Sequence, residues 1–293
     1  MGLFFLCFAQ IVLYTLGVVL ACGLAVEVCY RLFFLALGRR AGRFFWFMTS
    51  WLGTPLHELG HALMCLLFAH RIEYIRLFPT KEGDAMVEHS YNGKNPYAVF
   101  GNLWIGLGPV FSGLAVIIAV LYFVYPASMQ AFGASLRVLL AGGGHLGDLL
   151  PAIGGVIQGL FFEETQAIWV RILALVVLFS VALHVRVSTA DIKGMLVGLP
   201  GYLLLSVLLA LIMALTGEAA VRSLATAIQS FAYVLILLFS LILLFAIASL
   251  ILVLIYRLIV GLIRVIQGDH SYERADLTQY SDYRDRDWDD YKS

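Results

Sequence analysis

Residues 45–69 read FWFMTSWLGTPLHELGHALMCLLFA. Apart from Glu58 this run carries no charged residue, and as a helix it is long enough to cross a hydrocarbon layer about 30 Å thick. Near its middle stands His57-Glu58-Leu59-Gly60-His61. Histidines four apart lie on one helix face about one turn from each other, so both imidazoles can reach a single cation. Glu58 adjoins the first histidine but is displaced round the helix, where it can face a water without being a ligand. Each ionisable group at membrane depth costs roughly 2.5–3.5 kcal/mol or more unless it is paired. A His, a Glu and a second His inside one apolar helix therefore mark a functional site. Zinc lowers the pKa of a bound water to about 7, and a carboxylate can take that proton and pass it to a leaving amine.

The rest of the chain is of the same apolar kind. Of 293 residues, 61% are hydrophobic and 13% charged, with a mean hydropathy of +0.92, against about 25% charged in a soluble domain. This excludes a soluble protein. The formal net charge is zero, but Gly268 onward holds 8 acidic and 4 basic residues, so a weakly basic body precedes an acidic, Tyr-rich tail. No basic stripe suggests nucleic acid. Cys7, Cys22, Cys29 and Cys65 lie in apolar runs without CxxC spacing and read as small buried hydrophobes.

Six segments reach or approach the roughly 20 apolar residues of a spanning helix. They are Leu3–Val26, Phe45–Ala69, Tyr97–Val124, Ala167–Val185, Leu199–Leu215 and Ala225–Tyr256. The first could continue to Leu37 through Glu27 and Arg31, which are spaced to pair on one face. The expected fold is an all-α polytopic membrane protein of about six transmembrane helices with a small membrane-associated β-hairpin. The hairpin is read in 71–91, where Arg71–Leu77 and Ala85–Tyr91 have strand composition and Lys81-Glu82-Gly83-Asp84 is a turn signal. Residues 125–166, with AGGGHLGDLLPAIGG at their centre, read as a flexible or re-entrant connector. The chain divides into a first helix and connector (1–44), a catalytic membrane core (45–197), C-terminal helices (198–267) and a disordered tail (268–293). The expected location is a cell membrane of bacterial type, and the Lys/Arg balance favours N-in, C-in despite Arg39, Arg40 and Arg43.

A zinc hydrolase needs a third protein ligand and keeps the fourth position for water. Asp191, just beyond a hydrophobic span, is one candidate; Glu163 and Glu164 in the connector are others. Asp191 could equally be an interfacial carboxylate that pairs with Lys193 or caps a helix. His70, His89, His145 and His184 read as interfacial or surface histidines, and the His145/Asp148 pair as a weak second metal signal.

These residues resemble, in order along the chain, the site-2 protease family of intramembrane zinc metalloproteases. His57–His61 matches its HExGH helix, Asn102-Leu103-Trp104-Ile105-Gly106-Leu107-Gly108-Pro109 resembles its N-x-x-x-x-x-G-P span, and Asp191-Ile192-Lys193-Gly194 resembles its Asp-bearing segment. Two departures stand out: Ser112 occupies the place of an Asn often found after the Gly-Pro, and Thr-Ala precedes Asp191. The resemblance spans Phe45 to Gly194. It implies Zn2+ on His57, His61 and Asp191, Glu58 as general base and then acid, and Asn102 as a donor to the substrate backbone or the developing oxyanion. On its residues alone Asn102 could equally be a helix-start cap. The implied activity is hydrolysis of a peptide bond in or near a transmembrane segment of a protein embedded in the lipid bilayer, the substrate adding as a strand to the hairpin edge. Two rivals remain: a prenylated-protein type of membrane zinc peptidase using Glu163 or Glu164, and a non-catalytic metal-binding membrane scaffold.

Overall fold

The computed structural model describes residues 1–79, 84–141, 145–162 and 166–267. Helix α1, Gly2–Gly38, contains one π-helical turn at Leu13–Gly17. It ends at Gly38, where φ 71° and ψ −179° are essentially closed to a residue with a Cβ. The chain re-enters a helix, α2 (residues 39–67), which carries the HExGH segment. Strands β1 (Arg71–Arg76) and β2 (Met86–Ser90) follow, then α3 (Pro96–Val124), α4 (Pro126–Leu140), α5 (Leu149–Phe162), α6 (Ile168–His184), α7 (Thr189–Thr216) and α8 (Glu218–Ile266).

The fold is helical with one two-stranded antiparallel sheet, as the sequence predicts. Arg71 pairs with Ser90 and Ile75 with Val87, with a bulge between Ile72 and Tyr74. Of the turn expected between them, Lys81–Gly83 lie outside the described residues.

Helix length and composition among the described residues do not by themselves confirm the six spans expected. Four helices are long and apolar enough to cross a membrane by length and composition: Gly2–Gly38, Pro96–Val124, Thr189–Thr216 and Glu218–Ile266. The site-bearing helix α2 is not among them, and α6 is a shorter apolar helix. Two boundaries move for local reasons. The first helix runs to Gly38 because Glu27 accepts from Arg31 at 2.7 Å and pairs with Arg186 at 3.1 Å, which neutralises the charges at its end. Helix α7 begins ten residues before Leu199 because Ser188 caps it, its hydroxyl accepting from the Asp191 N–H at 3.1 Å. Helix α8, 49 residues long, spans about 74 Å and outreaches any bilayer core.

The connector expected at 125–166 is instead mostly the helix pair α4 and α5. Two of its glycines serve close packing: a Cβ on Gly155 would stand 2.6 Å from that of Ala131 and one on Gly159 would run into the Ser128 hydroxyl, which donates to the Val156 carbonyl at 2.8 Å. Small residues that let helix backbones meet are the usual glue of apolar bundles. The main core lies where α3, α6 and α8 converge, with Ile117, Leu121, Leu178, Val181, Ile242 and Phe245 all buried. Helix α3 also packs against α2 and α7, and this three-way junction holds the candidate site.

Candidate metal centre

Helices α2 and α3 touch backbone to backbone. A Cβ on Gly60 would stand 2.5 Å from the carbonyl of Gly108 and 2.6 Å from the Ser112 hydroxyl, so both positions require glycine. Three contacts lock this approach. Ser112 donates to the Leu56 carbonyl at 2.8 Å. His61 donates from Nδ1 to the Ile105 carbonyl at 2.8 Å. That carbonyl is available because its helical partner would be the N–H of residue 109, and Pro109 has none. The Gly-Pro pair thus has two uses: the glycine admits α2 and the proline frees an acceptor for its histidine.

His57 is held in the same manner from the other side. Its Nδ1 donates to the His184 carbonyl at 3.0 Å, in the last turn of α6, where carbonyls lack helical donors. The chain turns sharply there, since Arg186 N–H also donates to His184 O at 2.9 Å across Val185. A carbonyl only accepts, so both imidazoles carry a proton on Nδ1 and turn Nε2 toward the site, where the neutral ring leaves it bare to ligate. The two Nε2 atoms face each other at 3.1 Å.

Asp191 completes the group. Its Oδ1 stands 3.1 Å from His61 Nε2 and its Oδ2 3.7 Å from His57 Nε2. The Oδ2 also accepts from the Ser188 N–H at 2.6 Å. The helix cap and the site contact, alternatives in the sequence, coexist in one carboxylate: the cap fixes the side chain and aims it at the histidines. A Cβ on Gly106 of α3 would come within 3.0 Å of the Asp191 carbonyl oxygen, so a third glycine lets α7 approach.

The three donors fit zinc. Ligands about 2.0–2.1 Å from a tetrahedral ion stand roughly 3.3 Å from one another, and the separations here are 3.1, 3.1 and 3.7 Å. Two neutral imidazoles, one carboxylate and orienting carbonyls behind each ring are the makings of a three-ligand site with one open position. Glu58 is buried on the same helix within electrostatic reach of His61 and Asp191.

The other expected residues fall elsewhere. Asn102 is buried in α3, and its amide donates to the carbonyls of Val99 at 3.1 Å and Ala98 at 3.5 Å, within its own helix. Glu163 and Glu164 lie outside the described residues. The His145/Asp148 pair is an exposed capping box, with Asp148 accepting from the His145 N–H at 2.7 Å. His70 and His184 are buried, contrary to the interfacial reading. His89 is half-buried, and burial, with His70 and His61 nearby, holds its imidazole below the usual histidine range. Sequence reasoning missed His184 and Ile105 as carriers of orienting carbonyls. Pro109 was the available signal for Ile105; nothing in the sequence pointed to His184.

The fold and the donor set define a helical membrane protein with an HExxH segment whose histidines meet a carboxylate, as a candidate metal site, at a junction of three helices. The chain belongs to the Peptidase M50B-like family, whose model matches residues 27–180, in agreement with the resemblance to site-2 proteases. It is thus an integral membrane protein of a metalloprotease family. The matched stretch covers the HExGH helix, the hairpin and the Gly-Pro span and stops short of Asp191. No curated protein and no solved structure matches the chain.

Proposed function

We propose that this protein is a zinc-dependent intramembrane endopeptidase that cleaves membrane-protein substrates in or next to a transmembrane segment. The observation that carries the reading is the convergence of His57, His61 and Asp191, from helices far apart in sequence, on donor separations suited to one ion. Asp191 lies beyond the family match, so its place as third ligand rests on this geometry.

Zinc bound there would acidify a water and polarise the scissile carbonyl. Glu58 takes the proton of the attacking water and delivers it to the leaving nitrogen. The carbonyls of Ile105 and His184 keep both imidazoles in the ligating tautomer throughout. Asn102, if its amide turns from the Val99 carbonyl, serves as the donor to the substrate backbone; its present bonds are the weaker ones to give up at 3.1 and 3.5 Å. A substrate helix must unwind to expose its scissile carbonyl, and the outer edge of β1 or β2 offers it backbone partners where water is scarce.

The deciding experiment compares wild type with Glu58→Gln in proteoliposomes carrying a panel of single-span membrane proteins. The variant should keep its zinc and lose all cleavage, because an amide cannot accept the water's proton. Cleavage at the wild-type rate by the variant would refute the mechanism.

A further inference from the structure

We propose that Cys65, His70 and His89 form a second metal site, which takes a zinc-type divalent cation and clips the hairpin to the end of α2. Their ligand atoms all lie within 4.8 Å of one another. His70 Nε2 donates to the Ala98 carbonyl at 2.8 Å, which leaves Nδ1 bare, and that Nδ1 faces His89 Nδ1 at 3.0 Å. This repeats the arrangement at the first centre, with one ring nitrogen pinned by a carbonyl and the other aimed at a second imidazole. Two nitrogens on one tetrahedral zinc stand roughly 3.3 Å apart. Cys65 is fully buried, and a thiolate with two imidazoles is a donor set that suits zinc.

The backbone is bent to build this cluster. Helix α2 ends in a turn where Ala69 has φ 57°, a left-handed conformation normally left to glycine. The turn lets the His70 N–H donate to the Cys65 carbonyl at 2.8 Å and sets the histidine beside the cysteine. The strain persists only where the surroundings hold it. From across the hairpin, His89 pairs with Ile72, and Tyr91 stacks on the His70 ring at 4.6 Å. A lone hydrogen bond between the imidazoles would account for the two rings, but not for the sulfur beside them.

Cys65 follows His61 by four residues, so His57, His61 and Cys65 run up one stripe of α2, with a rise of about 6 Å from His61 to Cys65. The two donor sets share no residue, so no side chain bridges them as in a co-catalytic metal pair. The second ion is therefore a separate clip with its own ligands, and it stands whether or not the first centre cleaves peptides.

The test counts metal in the full chain in detergent, dialysed against buffered zinc. Wild type should hold two zinc per chain, and Cys65→Ser, His89→Ala and His57→Ala one each. Reconstituted with cobalt, wild type should show a thiolate-to-cobalt charge-transfer band that Cys65→Ser removes and His57→Ala retains. Because His89 is half-buried on the hairpin, its variant should fold even if Cys65→Ser does not; helical circular dichroism and elution volume check each. An unchanged zinc count in both Cys65→Ser and His89→Ala, or the absence of a sulfur band in the cobalt wild type, overturns the site. A single zinc lost with His57→Ala but not with Cys65→Ser also overturns it while leaving the first centre intact. A single zinc lost with Cys65→Ser alone supports it and removes the first centre instead.

Discussion

Adding one methyl group at Gly60 should dismantle the first centre without touching a ligand. A Cβ there would stand 2.5 Å from the Gly108 carbonyl, about 1 Å inside the usual 3.5–4.0 Å carbon contact. The Gly108 carbonyl is backbone and cannot swing aside as a side chain could, so relief requires α2 and α3 to separate by roughly that amount. The His61–Ile105 and Ser112–Leu56 hydrogen bonds, each 2.8 Å, would then stretch beyond useful range. Overpacking costs about 1–3 kcal/mol and each buried acceptor left unpaired about 1–3. The gain in helix propensity returns only about 1 kcal/mol. The expected net loss is roughly 2–8 kcal/mol of stability. Loss of an orienting carbonyl typically weakens a metal site 10–100-fold, so roughly that drop in zinc affinity is expected. Competition titration against a chromophoric chelator reads the affinity, and denaturation in detergent reads the stability. Gly154→Ala is the control, since a Cβ there meets nothing within 4 Å. Wild-type zinc affinity in Gly60→Ala would refute the close-approach argument.

Pro109→Ala restores an N–H that competes with His61 for the Ile105 carbonyl; zinc affinity should fall about tenfold by the same competition titration, while helical circular dichroism is unchanged. Asp191→Asn keeps an oxygen for the Ser188 N–H but loses the charge, so it should lose zinc yet, compared metal-free, remain as stable as wild type. Asp191→Ala loses the cap as well and should be less stable by about 1 kcal/mol; equal metal-free melting of the two variants would show that the cap is idle. Treating wild type with a strong chelator should stop cleavage of whichever membrane substrate the panel yields, and added zinc should restore it; cleavage that survives complete metal removal would exclude a metalloprotease.

How much could be read in advance follows from the range of the forces involved. His57, Glu58 and His61 were plain because their geometry is set by one helix, whose pitch is known in advance. Gly108-Pro109 was visible as a motif, yet its purpose emerged only when α2 was seen against it. Asp191 was open on its residues alone, since capping and ligation need the same carboxylate. The helix pair within 125–166 was not legible because glycine has two opposite uses: it loosens an isolated chain, but Gly155 and Gly159 tighten a helix pair when Ala131 and Ser128 stand opposite. The number of spans is hard to read because apolarity marks a buried helix as well as a membrane-crossing one: α6 is apolar both at the buried Leu178 and Val181 and at the exposed Ile172 and Leu173. His70 and His184 were placed at the surface because a histidine in sequence shows its polarity but not its partners. Both are buried, and both are partnered through backbone atoms.

Those backbone partners explain how a polar centre is built in an apolar bundle. Where water is scarce every peptide group must be bonded within the protein, and a helix break leaves groups that need a new partner. Here the breaks occur where imidazoles need acceptors. Pro109 frees the Ile105 carbonyl and His61 takes it; α6 ends at His184 and His57 takes the carbonyl exposed there. The same end of α6 leads through residues 185–188 to the Ser188 cap, where Asp191 answers the spare N–H of Ser188 and reaches the histidines with the same carboxylate. Each of these three irregularities is thus closed by a side chain of the site. The site should therefore tolerate exchange of the bundle's apolar side chains far better than the addition of a single N–H at residue 109, because the latter competes for the acceptor that orients His61.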